Sequence, residues 1–320
     1  MRAAAIAQPN IALIKYWGKR DVGRNLPAVG SISITLRDLF TEMDVQLDGS
    51  LTDDQLTVND EPDTGLLPRL GECLNRVLGP GRDLARIRSR CNFPIAAGLA
   101  SSASAFAALT VAAAAAAERS LETHELASLA GRASGSAARS LYGGFVELEN
   151  RRDDIAVDTL RAADEWPLMV VIAIPSSGPK AVGSTEAMET SRKTSPFYSS
   201  WIEQQPHDLA IAREAIRQKD FAKLAAVSEH NCLKMHSIMW ASRPPVVYWN
   251  SATMACLQTI RELQSQGLGV FFTMDAGPQV KAVCLPENTA QVSEALASTD
   301  GVVDLMQSGL GDGARRTESP

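Results

Sequence analysis

The chain has 320 residues, 45% of them apolar, which is enough to build one large core or two medium ones and reads as a globular protein. Its net charge of −6 is spread without a basic tract, which argues against a nucleic-acid partner and leaves any anionic ligand to a few placed cations and backbone amides. No apolar run reaches membrane-spanning length: Leu168–Ile174 is strand-sized, and Ala112–Ala117 is weakly hydrophobic and ends at Glu118.

Met1–Ala7 has the beginnings of an export signal, but Gln8-Pro9-Asn10 interrupts it before an apolar segment forms, which predicts a cytoplasmic start. Cys73, Cys91, Cys232, Cys256 and Cys284 are scattered and lack C-x-x-C spacing, so they read as buried thiols in a reducing compartment. Asn10–Ile14 is an apolar strand whose end crowds Lys15, Tyr16, Trp17 and Lys19. A strand that delivers Lys15 or Lys19 together with the Tyr16 hydroxyl makes a cationic corner for a phosphate; lysines as plain edge protection are the alternative.

Residues 25–36 read as a turn followed by an alternating strand with hydroxyls on one face. Thr41–Leu47 alternates again, and Asp48-Gly49 supplies the turn of a meander. Residues 60–66 form a loop, and Leu67–Leu78 fits an amphipathic helix closed by Gly79-Pro80-Gly81. The next strand, Leu84–Phe93, sets Arg86, Arg88 and Arg90 on a solvated face.

Pro94–Ser104 is the most informative stretch. Ala96, Ala97, Gly98 and Ala100 let backbone amides approach a ligand closely, and the alanine-rich run from Ala105 has the highest helix propensity, so a loop becomes a helix N-terminus. Free first-turn amides, the positive end of the helix dipole and the hydroxyls of Ser101 and Ser102 suit a polyphosphate; a serine-capped helix packed through alanines is the plain alternative. The spacing is neither G-x-x-x-x-G-K-[ST] nor G-x-G-x-x-G.

Thr123–Arg132 reads as a second helix, and Ala133–Gly144 as a second small-residue segment with Arg139 embedded in it. That guanidinium is either a clamp for a carboxylate or phosphate or half of a structural ion pair. Phe145–Glu149 is a strand, and Leu168–Ile174 a strand buried on both faces, broken by Pro175. A domain boundary is expected there, dividing 1–175 from 176–320. The polar stretch to Tyr198, with Lys180, Ser184 and Thr185, reads as a loop. Helices follow at Asp208–Gln218, Asp220–Met239 and Ser251–Gln266, strands at Gly269–Met274 and Val280–Leu285, a helix at Glu287–Ala297 and a strand at Val302–Met306; the tail from Gly311 is expected to fray. His230 and His236 are six apart, which does not suit a shared metal. Asp275, between an apolar strand and Ala276-Gly277-Pro278, either binds a hydroxyl proton or caps a turn.

P-x-x-x-G-L-A-S-S-A at residues 94–103 resembles the phosphate loop of the GHMP kinase superfamily. With it, N-I-A-L-I-K-Y-W-G-K at Asn10–Lys19, S-G-S-A-A-R-S at Ser134–Ser140 and T-M-D-A-G-P at Thr273–Pro278 are similar, in order, to the motifs of the diphosphomevalonate decarboxylase branch, over nearly the whole chain. The resemblance implies an α+β, two-domain GHMP kinase fold with its active site in the cleft between domains. It implies ATP held by Gly98, Leu99, Ala100, Ser101, Ser102 and Ala103, with Mg2+ at Ser102, and mevalonate 5-diphosphate decarboxylated to isopentenyl diphosphate. Asp275 would engage the C3 hydroxyl and Arg139 the carboxylate, with Lys19 and Asn10 completing the catalytic set. Tyr16, Lys19, Ser134, Ser136 and Ser184 would surround the diphosphate and the reacting oxygens, and the enzyme would be a homodimer. Asp275 is expected to stay ionised beside Lys19. Two departures from the family pattern stand out: Val29-Gly30 stands where asparagine or serine is commoner, and Thr185 where some relatives carry arginine, which implies diphosphate binding that rests more on Lys19, Ser136 and Lys180. A decarboxylase of the monophosphate, a mevalonate-type kinase without decarboxylation and a ligand-sensing regulator are the rival readings.

Overall fold

The computed structural model describes residues 1–93, 101–175 and 182–318. Gly98, Leu99 and Ala100 of the expected phosphate loop, and Lys180, lie outside the described residues. The chain runs through β1 (Arg2–Ala7), β2 (Asn10–Ile14), the short pair β3 (Lys19–Asp21) and β4 (Leu26–Pro27), β5 (Ser31–Thr35), β6 (Thr41–Leu47), β7 (Gln55–Val58), β8 (Glu61–Pro62), α1 (Leu67–Leu78) and β9 (Ala85–Cys91). Then come α2 (Ser101–Ala116), α3 (Thr123–Ala133), a 3-10 turn at Ala137–Leu141, β10 (Phe145–Asn150), β11 (Ile155–Arg161) and β12 (Met169–Ile174). The remainder is α4 (Ser184–Thr194), α5 (Tyr198–Gln218), α6 (Phe221–Trp240), α7 (Ser251–Ser265), β13 (Val270–Thr273), β14 (Val280–Cys284), α8 (Thr289–Ala297), β15 (Asp304–Gly309) and β16 (Arg315–Thr317).

Three layers of packing position the site. The six-stranded sheet β16-β1-β6-β9-β7-β8 is covered by α1, α2 and α3. Here the alanine-rich sequence acts through size: Ala3, Ala5 and Ala7 on one face of β1 meet Ala107, Ala108 and Ala112 of α2, so helix and sheet approach closely. That close fit outweighs the poor strand propensity of alanine and explains a central strand that composition does not reveal. The sheet β11-β10-β5-β2 comes next. Its one face carries Ile32, Ile34 and Phe145 into a core shared with Val170, Ile172 and Ile174 of β12; its other face carries Ser31 and Ser33. The third sheet, β13-β14-β12-β15, is covered on its far face by α7 and α8, so β12 is buried on both sides as its unbroken apolar run requires.

Four expectations are corrected. Ser184–Thr194 is helix α4, not a loop, because Ala187, Met188 and Ser191 form a buried stripe that packs with Met235 and Met239 of α6. Helix α5 begins ten residues before Asp208, and its buried positions Trp201, Gln205, Asp208, Leu209 and Ala212 keep helical spacing straight through Pro206. The strand after the Asp48-Gly49 turn makes no meander, since β7 pairs in parallel with β9. The tail does not fray over Arg315–Thr317, which pairs antiparallel with β1. The mixed α+β architecture itself is as expected.

Candidate active site

A cavity of about 610 Å3 opens between the end of β2, the N-terminus of α2, the 3-10 turn, the start of α4 and the loop after β13. Of the sequence-expected residues, Asn10, Tyr16, Lys19, Ser101, Ser102, Ser134, Ser136, Arg139, Ser184 and Asp275 all line it; Ala103 is instead buried inside α2.

Asp275 follows β13, and its carboxylate sits between two ammonium groups. Lys15 Nζ donates to Oδ1 at 2.8 Å, and Lys281 Nζ lies 3.5 Å from Oδ2. Both lysines are fully buried, whereas the Asp275 side chain is 26% exposed and faces the cavity. Burial pushes the carboxyl upward, but Lys15 and Lys281 overcome it and hold it at about 2. The expected partner was Lys19, and this is corrected: among the described residues Lys19 Nζ bonds to Thr185 Oγ1, at 3.5 Å, and not to Asp275. Lys15 comes into play because β2 carries a bulge between Ala12 and Ile14, and the side chain folds back so that Nζ also donates to the Ala12 carbonyl at 2.8 Å. Lys281 was missed; it interrupts the apolar alternation of β14, and a lysine inside a buried strand is the signal that marks it.

Arg139 is buried under the hydroxyl-bearing face of β5. Its Nε donates to Ser33 Oγ at 3.0 Å and Asn10 Oδ1 at 3.2 Å, its Nη1 to Ser31 Oγ at 2.5 Å and its Nη2 to Asn10 Oδ1 at 3.0 Å. No carboxylate among the described residues pairs with it, so the structural ion pair considered from the sequence is absent there. Burial lowers the guanidinium to about 10, against the opposing pull of Asp275, and it stays charged. Asn10 is fixed in turn by donating from Nδ2 to the Ser136 carbonyl at 2.9 Å and Ser140 Oγ at 2.8 Å. The alternating hydroxyls of β5 thus bind a guanidinium without neutralising it.

The serines gather at the start of α2. Ser134 Oγ donates to Ser102 Oγ at 3.3 Å and lies 3.4 Å from Ser136 Oγ. Tyr16 stands over Gly135, where any Cβ would overlap its phenol. Its hydroxyl is buried without a hydrogen-bond partner among the described residues, and burial pushes it up to about 12. At the other end of the cavity, Met43, Leu56, Val58, Leu70 and Phe106 make an apolar slot, with the Arg69 guanidinium 4.9 Å from the Phe106 ring centre. Arg69 was missed because its neighbourhood on α1 carries no motif.

Two family models match the chain: one described as the diphosphomevalonate decarboxylase-like N-terminal domain, over residues 7–158, and one as the mevalonate 5-diphosphate decarboxylase C-terminal domain, over residues 170–309. The diphosphomevalonate decarboxylase of Candida albicans is 35% identical, over 87% of this chain and 83% of its own. That of Saccharomyces cerevisiae is 34% identical, over 91% and 79%. The solved mevalonate diphosphate decarboxylase from Staphylococcus aureus, 36% identical, superposes with a TM-score of 0.93 and covers 99% of this chain and 98% of that one. A structure described as MDDEF in complex with MVAPP, AMPPCP and magnesium does so with a TM-score of 0.93 at 33% identity, over 100% and 99%. Matched in both halves and along nearly its whole length, the chain belongs to the diphosphomevalonate decarboxylase family.

Proposed function

We propose that this chain catalyses the ATP-dependent decarboxylation of mevalonate 5-diphosphate to isopentenyl diphosphate, with release of ADP, phosphate and CO2, as a step of the mevalonate pathway. One observation carries the reading: an ionised carboxylate at Asp275 and a buried guanidinium at Arg139, which no carboxylate among the described residues pairs, face the same cavity as a serine-lined helix N-terminus. We read residues 1–175 as the ATP-binding domain and residues 176–320 as the second domain, with this cavity as the cleft between them.

The C3 hydroxyl of the substrate is a poor leaving group until it carries a phosphoryl group. Asp275 accepts its hydrogen bond and orients it in line with the terminal phosphate of ATP. With a pKa near 2 the carboxylate is a hydrogen-bond acceptor rather than a strong base, which suits a loose phosphoryl transfer that needs little deprotonation beforehand; the hydroxyl proton passes to Asp275 as the O–P bond forms and the bond to ADP breaks, and leaves from there to solvent. When the C3–O bond then breaks and phosphate leaves, Asp275 faces the cationic centre at C3. Arg139 holds the carboxylate so that the C1–C2 electron pair closes the C2–C3 double bond as CO2 departs. Tyr16, Lys19, Ser134, Ser136 and Ser184 bind the diphosphate, and the first turn of α2 binds the phosphates of ATP through Ser101 and Ser102. The paired hydroxyls of Ser102 and Ser134 are hard oxygen donors that fit Mg2+ and would hold it, and the ion would supply neutralisation of phosphate charge.

Incubation of the purified protein with ATP, Mg2+ and mevalonate 5-diphosphate tests this. Equal release of CO2 and ADP is expected; ADP without CO2 would make the chain a kinase, and equal turnover of mevalonate 5-phosphate would make the second phosphate dispensable. Among the described residues no helix is long and apolar enough to cross a membrane. We place the enzyme in the cytoplasm on the scattered pattern of its cysteines. We place it in a homodimer on the exposed apolar side chains Trp240, Val247 and Met254 around the α6–α7 connection.

A further inference from the structure

Lys15 lies one residue past the end of β2, where the sheet no longer satisfies its backbone. Both of its main-chain groups are taken instead by side chains of two helices. Its N–H donates to Asn231 Oδ1 of α6 at 2.8 Å, and its C=O accepts from Gln205 Nε2 of α5 at 2.7 Å. The two amides also bind each other, Asn231 Nδ2 donating to Gln205 Oε1 at 2.9 Å. Asn231 Nδ2 donates further to Asp208 Oδ2 at 2.6 Å, and Lys234 Nζ pairs with that same oxygen at 2.5 Å. Gln205, Asp208 and Asn231 are all buried, and none of them lines the cavity.

The order of donors along this chain is forced. Asp208 Oδ2, which already accepts from Lys234, admits only the NH2 side of Asn231. The carbonyl side of Asn231 must then face the Lys15 amide. Helix α6 grips the neighbouring strand end too, for Cys232 Sγ accepts from the Met274 amide at 3.2 Å, directly before Asp275. One face of α6 therefore sets the backbone positions from which Lys15 and Asp275 reach each other.

We propose that Asn231 and Gln205 are positioning residues for the reaction: by clamping the Lys15 main chain they aim its ammonium at Asp275. This rests on the role given above to Asp275. The groups facing Asp275 are Lys15 from the end of β2, Lys281 from β14, Arg139 from the 3-10 turn, and His236 and Cys232 from α6. Lys15 makes the shortest of these contacts, so misdirecting it removes the strongest pull that keeps the carboxylate ionised against burial. The consequence falls on turnover and its pH dependence rather than on substrate affinity, because neither amide touches the cavity.

The test compares Asn231→Ala and Gln205→Leu with the parent enzyme, with Val77→Ala as a core variant of lowered stability remote from the site, and with Asp275→Asn. Steady-state rates are measured between about pH 4.5 and pH 9, a range in which the parent, with its Asp275 carboxyl held at about 2, shows no acid limb from this group. Both amide variants are expected to lose about tenfold or more in kcat, with KM for ATP and for mevalonate 5-diphosphate within about twofold, and to bring an acid limb of kcat into that range. Val77→Ala is expected to lower the melting temperature with kcat and pH profile as in the parent. The proposal is overturned if folded Asn231→Ala or Gln205→Leu keeps the parent kcat and pH profile, or if only KM rises. Should Asn231→Ala fail to fold, Gln205→Leu decides alone. Parental turnover in Asp275→Asn would instead overturn the role of Asp275 itself and the clamp with it.

Discussion

At the Asp275 end of the cavity Lys15, Asn10 and Arg139 are tied to partners remote in sequence by bonds near 3 Å or shorter: Lys15 to Asp275, Asn10 to Ser140, Arg139 to Ser31. At the apolar end the polar contacts are long. Arg69 reaches the Ala133 carbonyl at 3.5 Å, and Lys19 reaches Thr185 at 3.5 Å. Under the function proposed above, the difference follows the work each end does. Charge that develops at C3 is stabilised only by groups already aimed at it, since reorienting them during the reaction would cost what they contribute. A nucleotide and a diphosphate tail need only be gripped, and side chains that still move can close around them.

The comparison is broken most directly at its rigid end. Asp275→Asn keeps the shape but removes the charge, leaving Lys15 and Lys281 as buried ammoniums without their counterion. A loss of about 10^3-fold in kcat is expected, with KM for ATP changed by less than about threefold. A loss in ATP affinity at unchanged kcat would show that the carboxylate serves the nucleotide instead. Arg139→Lys comes next, with a fall of about 10^2-fold in kcat/KM for mevalonate 5-diphosphate. The ammonium keeps the charge but cannot bind Asn10, Ser31 and Ser33 and still present a fork to a carboxylate.

His236 sharpens the same point through stability. It is buried on α6 against Trp249, with ring centres 5.0 Å apart. Burial first, and Lys15 second, depress it to about 3, with Asp275 pulling weakly the other way. The unfolded chain takes up this proton below about pH 6.5 and the folded chain does not, so stability falls as the pH drops from about 6.5 toward about 3. Asp275 adds a second loss only below about pH 3.8, where its unfolded form protonates first. Urea unfolding at pH 7 and at about pH 4.5 separates the two. His236→Gln is expected to lose about 2 kcal/mol less than the parent on this acidification. Equal losses would mean that the imidazole is already protonated in the folded enzyme.

The two ends also differ in how far the sequence discloses them. The helix N-terminus is a local pattern, small residues then alanines, and Ser101, Ser102 and the start of α2 were legible from it. So were α1, β6 and the doubly buried β12, whose periodicity lies within a dozen residues. Asp275 and Arg139 could be picked out by motif, but not their partners. That Lys15 rather than Lys19 meets Asp275 depends on a one-residue bulge in β2, and that Lys281 joins them depends on the pairing of β13 with β14. Strand β1 escaped notice because its alanines fit α2 rather than any strand preference, and α4 because its buried stripe is short and half polar. What stayed hidden was pairing between distant segments, which no local window contains.

The loosely held end yields the smallest expected effects, and they should divide by ligand. Lys19 is partly buried; burial foremost and Arg69 next depress its ammonium, while Glu189 raises it. It stands beside Thr185 and Ser184 at the start of α4, on the side of the cavity read as holding the diphosphate. Lys19→Gln should therefore raise KM for mevalonate 5-diphosphate by about fivefold to tenfold and leave kcat within about twofold, because a grip shared equally by ground state and transition state does not lower the barrier between them. Arg69, stacked on Phe106 beside the apolar slot, should affect the other substrate: Arg69→Gln is expected to raise KM for ATP by a similar factor and spare the diphosphate. A fall in kcat with either variant would place that cation among the groups that stabilise the transition state and erase the division between the two ends.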